Sequence, residues 1–106
     1  MSALTPPPIA CDLGALTSEE RECGQRLLAE FKARFREPQE TENGYIFVIP
    51  NESGTLARLG AFLALERICC PFLTFDLAVP ARRGPVTLHV HGEPAAKSFV
   101  RSVFFG

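Results

Sequence analysis

The sequence predicts a single α+β domain in which an N-terminal helix precedes a β-α-β-β-α unit. Three observations predict this class. The chain has 106 residues, 46% of them hydrophobic and nine of them Phe, which suffices for one core and is too short for two domains. Apolar residues recur at helical spacing in some segments and alternate at strand spacing in others. Turn residues separate these segments.

The N-terminal region is predicted to be an extended arm. Residues 1–16 contain Pro6-Pro7-Pro8 and show little periodicity, so the domain itself is assigned to residues 17–106. The first ten residues lack the basic and apolar regions of an export signal, and no apolar run approaches the roughly 18 residues that a membrane helix needs. We therefore expect a cytoplasmic protein without a membrane partner, whose cysteines stay reduced.

The first helix is predicted from Ser18 to Arg36. Thr17 and Glu20 have the spacing of a capping box, and Pro38 disfavours helical geometry in the residue before it. An apolar stripe follows at i, i+4 spacing, formed by Cys23, Leu27, Phe31 and Phe35.

A strand and a second helix are predicted next. The turn signal Asn43-Gly44 precedes an aromatic and β-branched strand, Tyr45–Ile49, with apolar residues on both faces. Such a strand is expected to be covered on both sides or to lie in an interface. The second helix is predicted from Thr55 to Ile68, and Pro71 fixes its end.

The last part of the chain predicts a hairpin and a final helix. Alternating residues indicate a half-buried strand over Phe72–Val79, and Pro80–Pro85 forms the connection. In the strand Val86–Val90 the valines and the leucine are expected to face inward, with the histidines outward. Pro94 suits the first position of a helix.

These elements match a ferredoxin-like sheet that lacks its fourth strand. Right-handed crossover favours the order 1-3-2 for the three predicted strands. The missing strand would leave Tyr45–Ile49 at an open, apolar edge, which predicts a homodimer formed through the sheet.

Charge and motifs exclude several function classes. The formal net charge is −1, whereas nucleic-acid binding requires clustered Lys and Arg. The sequence contains no Gly-rich phosphate loop, no G-x-S-x-G and no paired carboxylates suited to acid–base catalysis. We therefore predict no nucleic-acid partner and no catalytic residues.

The adjacent cysteines Cys69 and Cys70 are the most chemically distinctive feature of the sequence. They lie where a helix ends, and the negative end of a helix opposes thiolate formation, which disfavours a catalytic cysteine. A soft metal or metalloid, such as mercury, arsenite, copper or zinc, deprotonates its own thiol ligands. Cys11 or Cys23 could supply a third thiolate. The alternative is that the cysteines are core residues, as free cysteines often are.

The spacing His89-x-His91 places two imidazoles on one strand face, where they could be additional ligands of the same ion. If Val79 pairs with Val86, then His89 lies opposite Asp76 and His91 lies opposite Thr74. Cys70 would then be about 13 Å from His91, because a strand rises about 3.3 Å per residue. Bonds to one ion are about 2.0 to 2.3 Å long. The histidines are therefore predicted to be polar residues of the outer face, with a cross-strand Asp76–His89 pair.

The segment Leu65–Leu77, LERICCPFLTFDL, with Gly84-Pro85 and a short strand after it, resembles a group of small bacterial proteins that share the pattern E-R-x-C-C-P-F-x-x-F. Ala10–Leu13 resembles the Ala-Cys-x-Leu start of that group. Related segments occur next to, or fused with, mercury-type regulators and other heavy-metal resistance proteins. The resemblance implies a metal-resistance protein as partner. It also implies a metal site formed by Cys11, Cys69 and Cys70, with Glu66 and Arg67 beside it.

The predicted function is therefore binding of a soft metal or metalloid through thiols, in a protein that acts as a chaperone, scavenger or sensor accessory. The alternative is a non-catalytic dimerisation module whose cysteines pack in the core. A thiol enzyme is the third hypothesis.

Overall fold

The computed structural model describes residues 12–36 and 38–105, and within them the fold is α+β. Two short 3₁₀ turns accompany the main elements, one at Leu13–Ala15 and one at Ala81–Arg83. The helices are α1 (Ser18–Lys32), α2 (Thr55–Cys69) and α3 (Pro94–Phe104), and the strands are β1 (Gln39–Thr41), β2 (Gly44–Ile49), β3 (Leu73–Ala78) and β4 (Val86–Gly92).

The sheet has four antiparallel strands in the order β1-β2-β4-β3, so the prediction of a three-stranded sheet lacking its fourth strand is wrong. The additional strand is β1, which forms a tight hairpin with β2 through the pair Thr41 and Gly44. Its sequence, Gln-Glu-Thr, is short and polar, so neither apolar periodicity nor β-propensity distinguishes it from a loop.

The predicted open edge at Tyr45–Ile49 is also wrong, because β2 lies inside the sheet between β1 and β4. Gly44 permits this close approach. A Cβ atom at Gly44 would collide with the carbonyl oxygen of Val90 and lie 2.7 Å from the Cα of His91. The apolar character of β2 reflects its interior position, and the surface proposed for a dimer is already paired within the chain.

The three helices cover one face of the sheet, and the core lies between them. In β4 the residues Val86, Leu88 and Val90 are buried, whereas His89 and His91 are half-buried on the other face, which confirms the predicted alternation. Burial decreases along β3, where Leu73 is buried and Leu77 is exposed, so the helical layer covers only the first part of this edge strand. An aromatic cluster joins the helices to β2 and consists of Phe31, Phe35, Phe47, Phe62 and Phe104.

Helix α1 begins as predicted but ends earlier. Thr17 and Glu20 form the capping box in both directions, with bonds of 2.8 and 3.1 Å. The helix ends at Lys32 rather than Arg36, because the backbone N–H of Arg36 donates to the carbonyl of Val48 in β2 at 3.0 Å. The chain therefore leaves the helix to follow the sheet.

None of the helices within residues 12–36 and 38–105 has both the length and the apolar character that crossing a lipid bilayer requires.

Candidate functional site

The C-terminus of α2 determines where the two adjacent cysteines lie. Cys69 is the last helical residue, and Cys70 is the C-cap, with φ −123° and ψ 71°. The N–H of Cys70 still donates to the carbonyl of Glu66 at 2.6 Å, while its own carbonyl accepts from Leu73 at 3.1 Å. Because Pro71 cannot continue the helical bonding, the chain turns here directly into β3.

Both cysteines are buried. Cys69 is 6% exposed and Cys70 is 0% exposed, and both belong to the hydrophobic core. This degree of burial is compatible with cysteines that pack as small apolar residues. An ion site shielded from water is compatible with the same burial.

Glu66 lies one helical turn before Cys70, and the two side chains meet. The Sγ of Cys70 donates to Oε2 of Glu66 at 3.5 Å, which is within the range for a sulfur donor. Burial raises the pKa of the Glu66 carboxyl above its ordinary value, and the hydrogen bond from Cys70 opposes this change. A carboxylate with a raised pKa is a better proton acceptor, so the site pairs a buried thiol with a nearby base.

A cavity of about 100 Å³ lies against Cys69, between α1 and α2. Glu66 forms part of the same wall, and Arg21 of α1 is the other charged side chain that lines it. The rest of the lining is Leu16, Gly24, Gln25, Leu28, Leu65 and Val103. A cavity of this size has room for an ion or a small inorganic species beside Cys69.

The remaining residues predicted for this site are Cys11, Arg67 and the alternative ligand Cys23. Cys11 lies outside the described residues. Asp12, the residue that follows it, donates its backbone N–H to the carbonyl of Cys69 at 2.7 Å. Arg67 is exposed, and Cys23 is partly buried against the core on α1. Among the described residues of the predicted site, Cys70 therefore contacts Glu66 directly, and Glu66 and Cys69 line the same cavity.

The predicted hairpin register is confirmed, since Asp76 pairs with His89 and Thr74 pairs with His91. These side chains lie on the face of the sheet that the helices leave uncovered. Burial and the neighbouring His91 lower the pKa of His89, and the Asp76 carboxylate opposes the change. Within the described residues, the ligand atoms of Asp76, His89 and His91 all lie within 4.8 Å of one another.

Sequence reasoning tested the histidines only as partners of the cysteines and missed this cluster. The spacing His89-x-His91, with Asp76 directly opposite in the correct register, was the available signal. No family model, no curated protein and no solved structure matches the chain.

Proposed function

We propose that this is a cytoplasmic protein that binds a soft metal or metalloid ion through Cys69 and Cys70, with Cys11 as the third ligand. Mercury(II), arsenite, copper(I) and zinc are the ions that suit such thiolate sites. The observation on which the proposal depends is the position of Glu66. Its carboxyl accepts the hydrogen bond of Cys70 and lines the same cavity as Cys69.

Glu66 supplies the proton acceptor that thiolate binding requires. Cysteine binds metals as the thiolate, so each thiol must release its proton when the ion binds. Mercury(II) bound by two thiols releases two protons, one of which Glu66 can take directly from Cys70. Arsenite bound by three thiols forms three As–S bonds, and its three hydroxyl groups leave as water. In the arsenite reaction the departing hydroxyl groups take up the thiol protons, whereas in the mercury(II) reaction the proton of Cys70 has an acceptor in Oε2 of Glu66, 3.5 Å from Sγ.

Two further observations support the choice of ligands. The hydrogen bond from Asp12 to Cys69 anchors the chain immediately after Cys11 at the end of α2. The motif that contains Glu66, Cys69 and Cys70 is also the part of the sequence that resembles segments associated with heavy-metal resistance. Acting as a scavenger or accessory for such a resistance system would require exchange of the ion with a partner protein.

The second candidate function is an interaction module in which the cysteines only pack. The complete burial of Cys70 favours it, because structural cysteines are commonly buried and inert. The two functions differ in one measurable respect. If the cysteines only pack, the amount of bound ion does not depend on Cys69 and Cys70.

Titration of the reduced chain with arsenite and with mercury(II), followed by native mass spectrometry and thiol counting, tests the proposal. We expect one ion per chain in the wild type and in the control variant Cys23→Ser. The double variant Cys69→Ser/Cys70→Ser is expected to lose this binding. Cys11→Ser should weaken arsenite binding more than mercury(II) binding, because arsenite uses three thiolates and mercury(II) needs only two.

Circular dichroism of each variant separates loss of binding from loss of folding. Equal binding by the wild type and the folded double variant, or an absence of binding by both, would exclude Cys69 and Cys70 as the ligands.

A further inference from the structure

The uncovered face of the sheet contains a second cluster of potential ligands, which does not involve the cysteines. Nε2 of His91 lies 2.7 Å from Oδ2 of Asp76, and Nδ1 of His89 lies 3.9 Å from the same oxygen. The imidazole rings of His89 and His91 are 4.3 Å apart between centroids. Two imidazoles and one carboxylate thus converge on one point above the β3–β4 ladder.

Thr41 determines which nitrogen of His89 faces the cluster. Its Oγ1 lies 3.0 Å from Nε2 of His89. When Nε2 donates its proton to Thr41, the unprotonated Nδ1 faces Asp76 and can donate its lone pair to an ion. A histidine ligand is typically fixed by a hydrogen bond from its other ring nitrogen. Thr41 belongs to β1, so the short edge strand positions this ligand.

We propose that Asp76, His89 and His91 bind a divalent transition-metal ion of borderline softness, such as zinc, nickel or copper(II). Imidazole and carboxylate ligands suit this class, whereas mercury(II) and arsenite prefer thiolates. The proposal is independent of ion binding at Cys69 and Cys70, because it concerns different residues on a different face of the sheet.

The cluster needs only small side-chain movements to coordinate an ion. In a tetrahedral site with bonds of about 2.0 to 2.1 Å, neighbouring ligand atoms are roughly 3.3 Å apart. The two distances from Asp76 Oδ2, 2.7 and 3.9 Å, lie on either side of this value. Adjacent antiparallel strands fix the Cα positions, so the distances can change only through rotation of the side chains.

The site is open to solvent on one side. The side chains of His89 and His91 are 30% and 27% exposed, and that of Asp76 is 64% exposed. Three protein ligands leave at least one coordination position for water, as in zinc sites that bind further ligands. An ion bound here would therefore be accessible to a small molecule or to a ligand from another protein.

The chain contains two histidines, and both belong to the cluster, so imidazole NMR signals report on this site alone. We suggest adding Zn²⁺ to tag-free protein with Cys69→Ser/Cys70→Ser, which removes binding at those thiols, and recording imidazole ¹H–¹⁵N spectra. The expected result is that both imidazoles shift together and saturate at one ion per chain. Addition of a chelator should restore the original spectrum.

Two pairs of further variants test the ligand assignment in this background. Asp76→Asn should weaken Zn²⁺ binding, and Glu93→Gln, which changes an exposed carboxylate outside the cluster, should not. Thr41→Val is expected to weaken binding about ten- to hundredfold, as loss of a hydrogen bond to a ligand does. Thr87→Val, on the same face of β4 but outside the His89 hydrogen bond, is the control.

The proposal is overturned if the imidazoles do not respond to Zn²⁺, or if they respond separately. It is also overturned if folded Asp76→Asn binds as tightly as its parent. In those cases the cluster is a hydrogen-bonded pair that stabilises the hairpin and not a metal site.

Discussion

Glu66 combines two roles that ordinarily conflict in one residue. It occupies a partly buried position, where a charge is costly, and it accepts the hydrogen bond of Cys70, which favours the charged form. The net effect in the metal-free protein is a raised pKa, because burial outweighs the hydrogen bond from Cys70. The folded protein therefore holds a proton at Glu66 more tightly than the unfolded chain does.

Substitution Glu66→Gln tests this balance through the pH dependence of stability. Because the pKa of Glu66 is higher in the folded than in the unfolded state, its bound proton adds to the free energy of unfolding. This stabilisation is fully present below the ordinary pKa of 4.5 and is lost as pH rises through the folded-state pKa. Gln is neutral throughout and lacks this loss. The free energy of unfolding of Glu66→Gln, relative to the wild type, should therefore increase between about pH 4.5 and about pH 7.5, still below the ordinary cysteine pKa.

Urea unfolding of reduced, metal-free protein at a series of pH values measures this difference. Glu22→Gln, an exposed position on α1, is the matched control and should follow the wild-type curve. Parallel curves for the wild type and Glu66→Gln would show that Glu66 titrates alike in the folded and unfolded states.

Among the elements, the pairing of β2 with β4 has the strictest steric requirement, and two glycines allow it to be tested. Gly44→Ala would place a methyl group against the carbonyl oxygen of Val90. Since backbone atoms cannot move aside without breaking the ladder, we expect a loss of about 1–3 kcal/mol or more, as for overpacked sites. Urea unfolding at neutral pH measures it.

The control is Gly60→Ala, in the interior of α2, where an added Cβ would meet no atom within 4 Å. Alanine there should stabilise the protein by roughly 0.5–1 kcal/mol, because glycine is a poor helix former. The same chemical change is thus expected to have opposite signs at the two positions. A neutral or stabilising Gly44→Ala would mean that β2 and β4 are not packed as closely as described.

The sequence predicted the elements whose pattern is strong and missed the one whose pattern is absent. The capping box at Thr17 and the register of β3 against β4 follow from local rules, and both are confirmed. Strand β1 has no apolar residue, so its sequence does not identify it as a strand. It is a strand because it pairs with β2 in the folded sheet. Asn43-Gly44 was a hairpin signal that required a partner strand before it.

The same distinction applies to the two candidate sites. The pair Cys69-Cys70 is visible in the sequence because its residues are adjacent. The contact of Cys70 with Glu66 is not visible in the same way, because it forms only if helix α2 continues as far as its C-cap, Cys70. The cluster around Asp76 combines residues from two strands, and its orienting residue, Thr41, comes from the strand that periodicity did not reveal.

In the whole molecule, the sheet separates the two candidate sites. Cys69 and its cavity lie in the helical layer, whereas Asp76, His89 and His91 lie on the opposite, uncovered face. Both depend on one core, in which aromatic rings join α1, α2 and α3 to β2. The stability of that core therefore limits both sites, even though their chemistry is separate.

Phe31 is the residue through which this dependence is best tested. Its side chain is completely buried, and its ring centroid lies 5.6 Å from that of Phe62 on α2. Phe31→Ala should reduce the free energy of unfolding by about 3–5 kcal/mol, a large part of the roughly 5–15 kcal/mol that stabilises a typical domain.

Phe105→Ala is the control, because that ring is 42% exposed at the end of α3 and its removal should reduce the free energy of unfolding by less. Urea unfolding with matched denaturant slopes compares the two variants. If Phe31→Ala costs no more than Phe105→Ala, then the rings of Phe31 and Phe62 do not connect α1 to α2, and the cavity beside Cys69 must be maintained by other contacts.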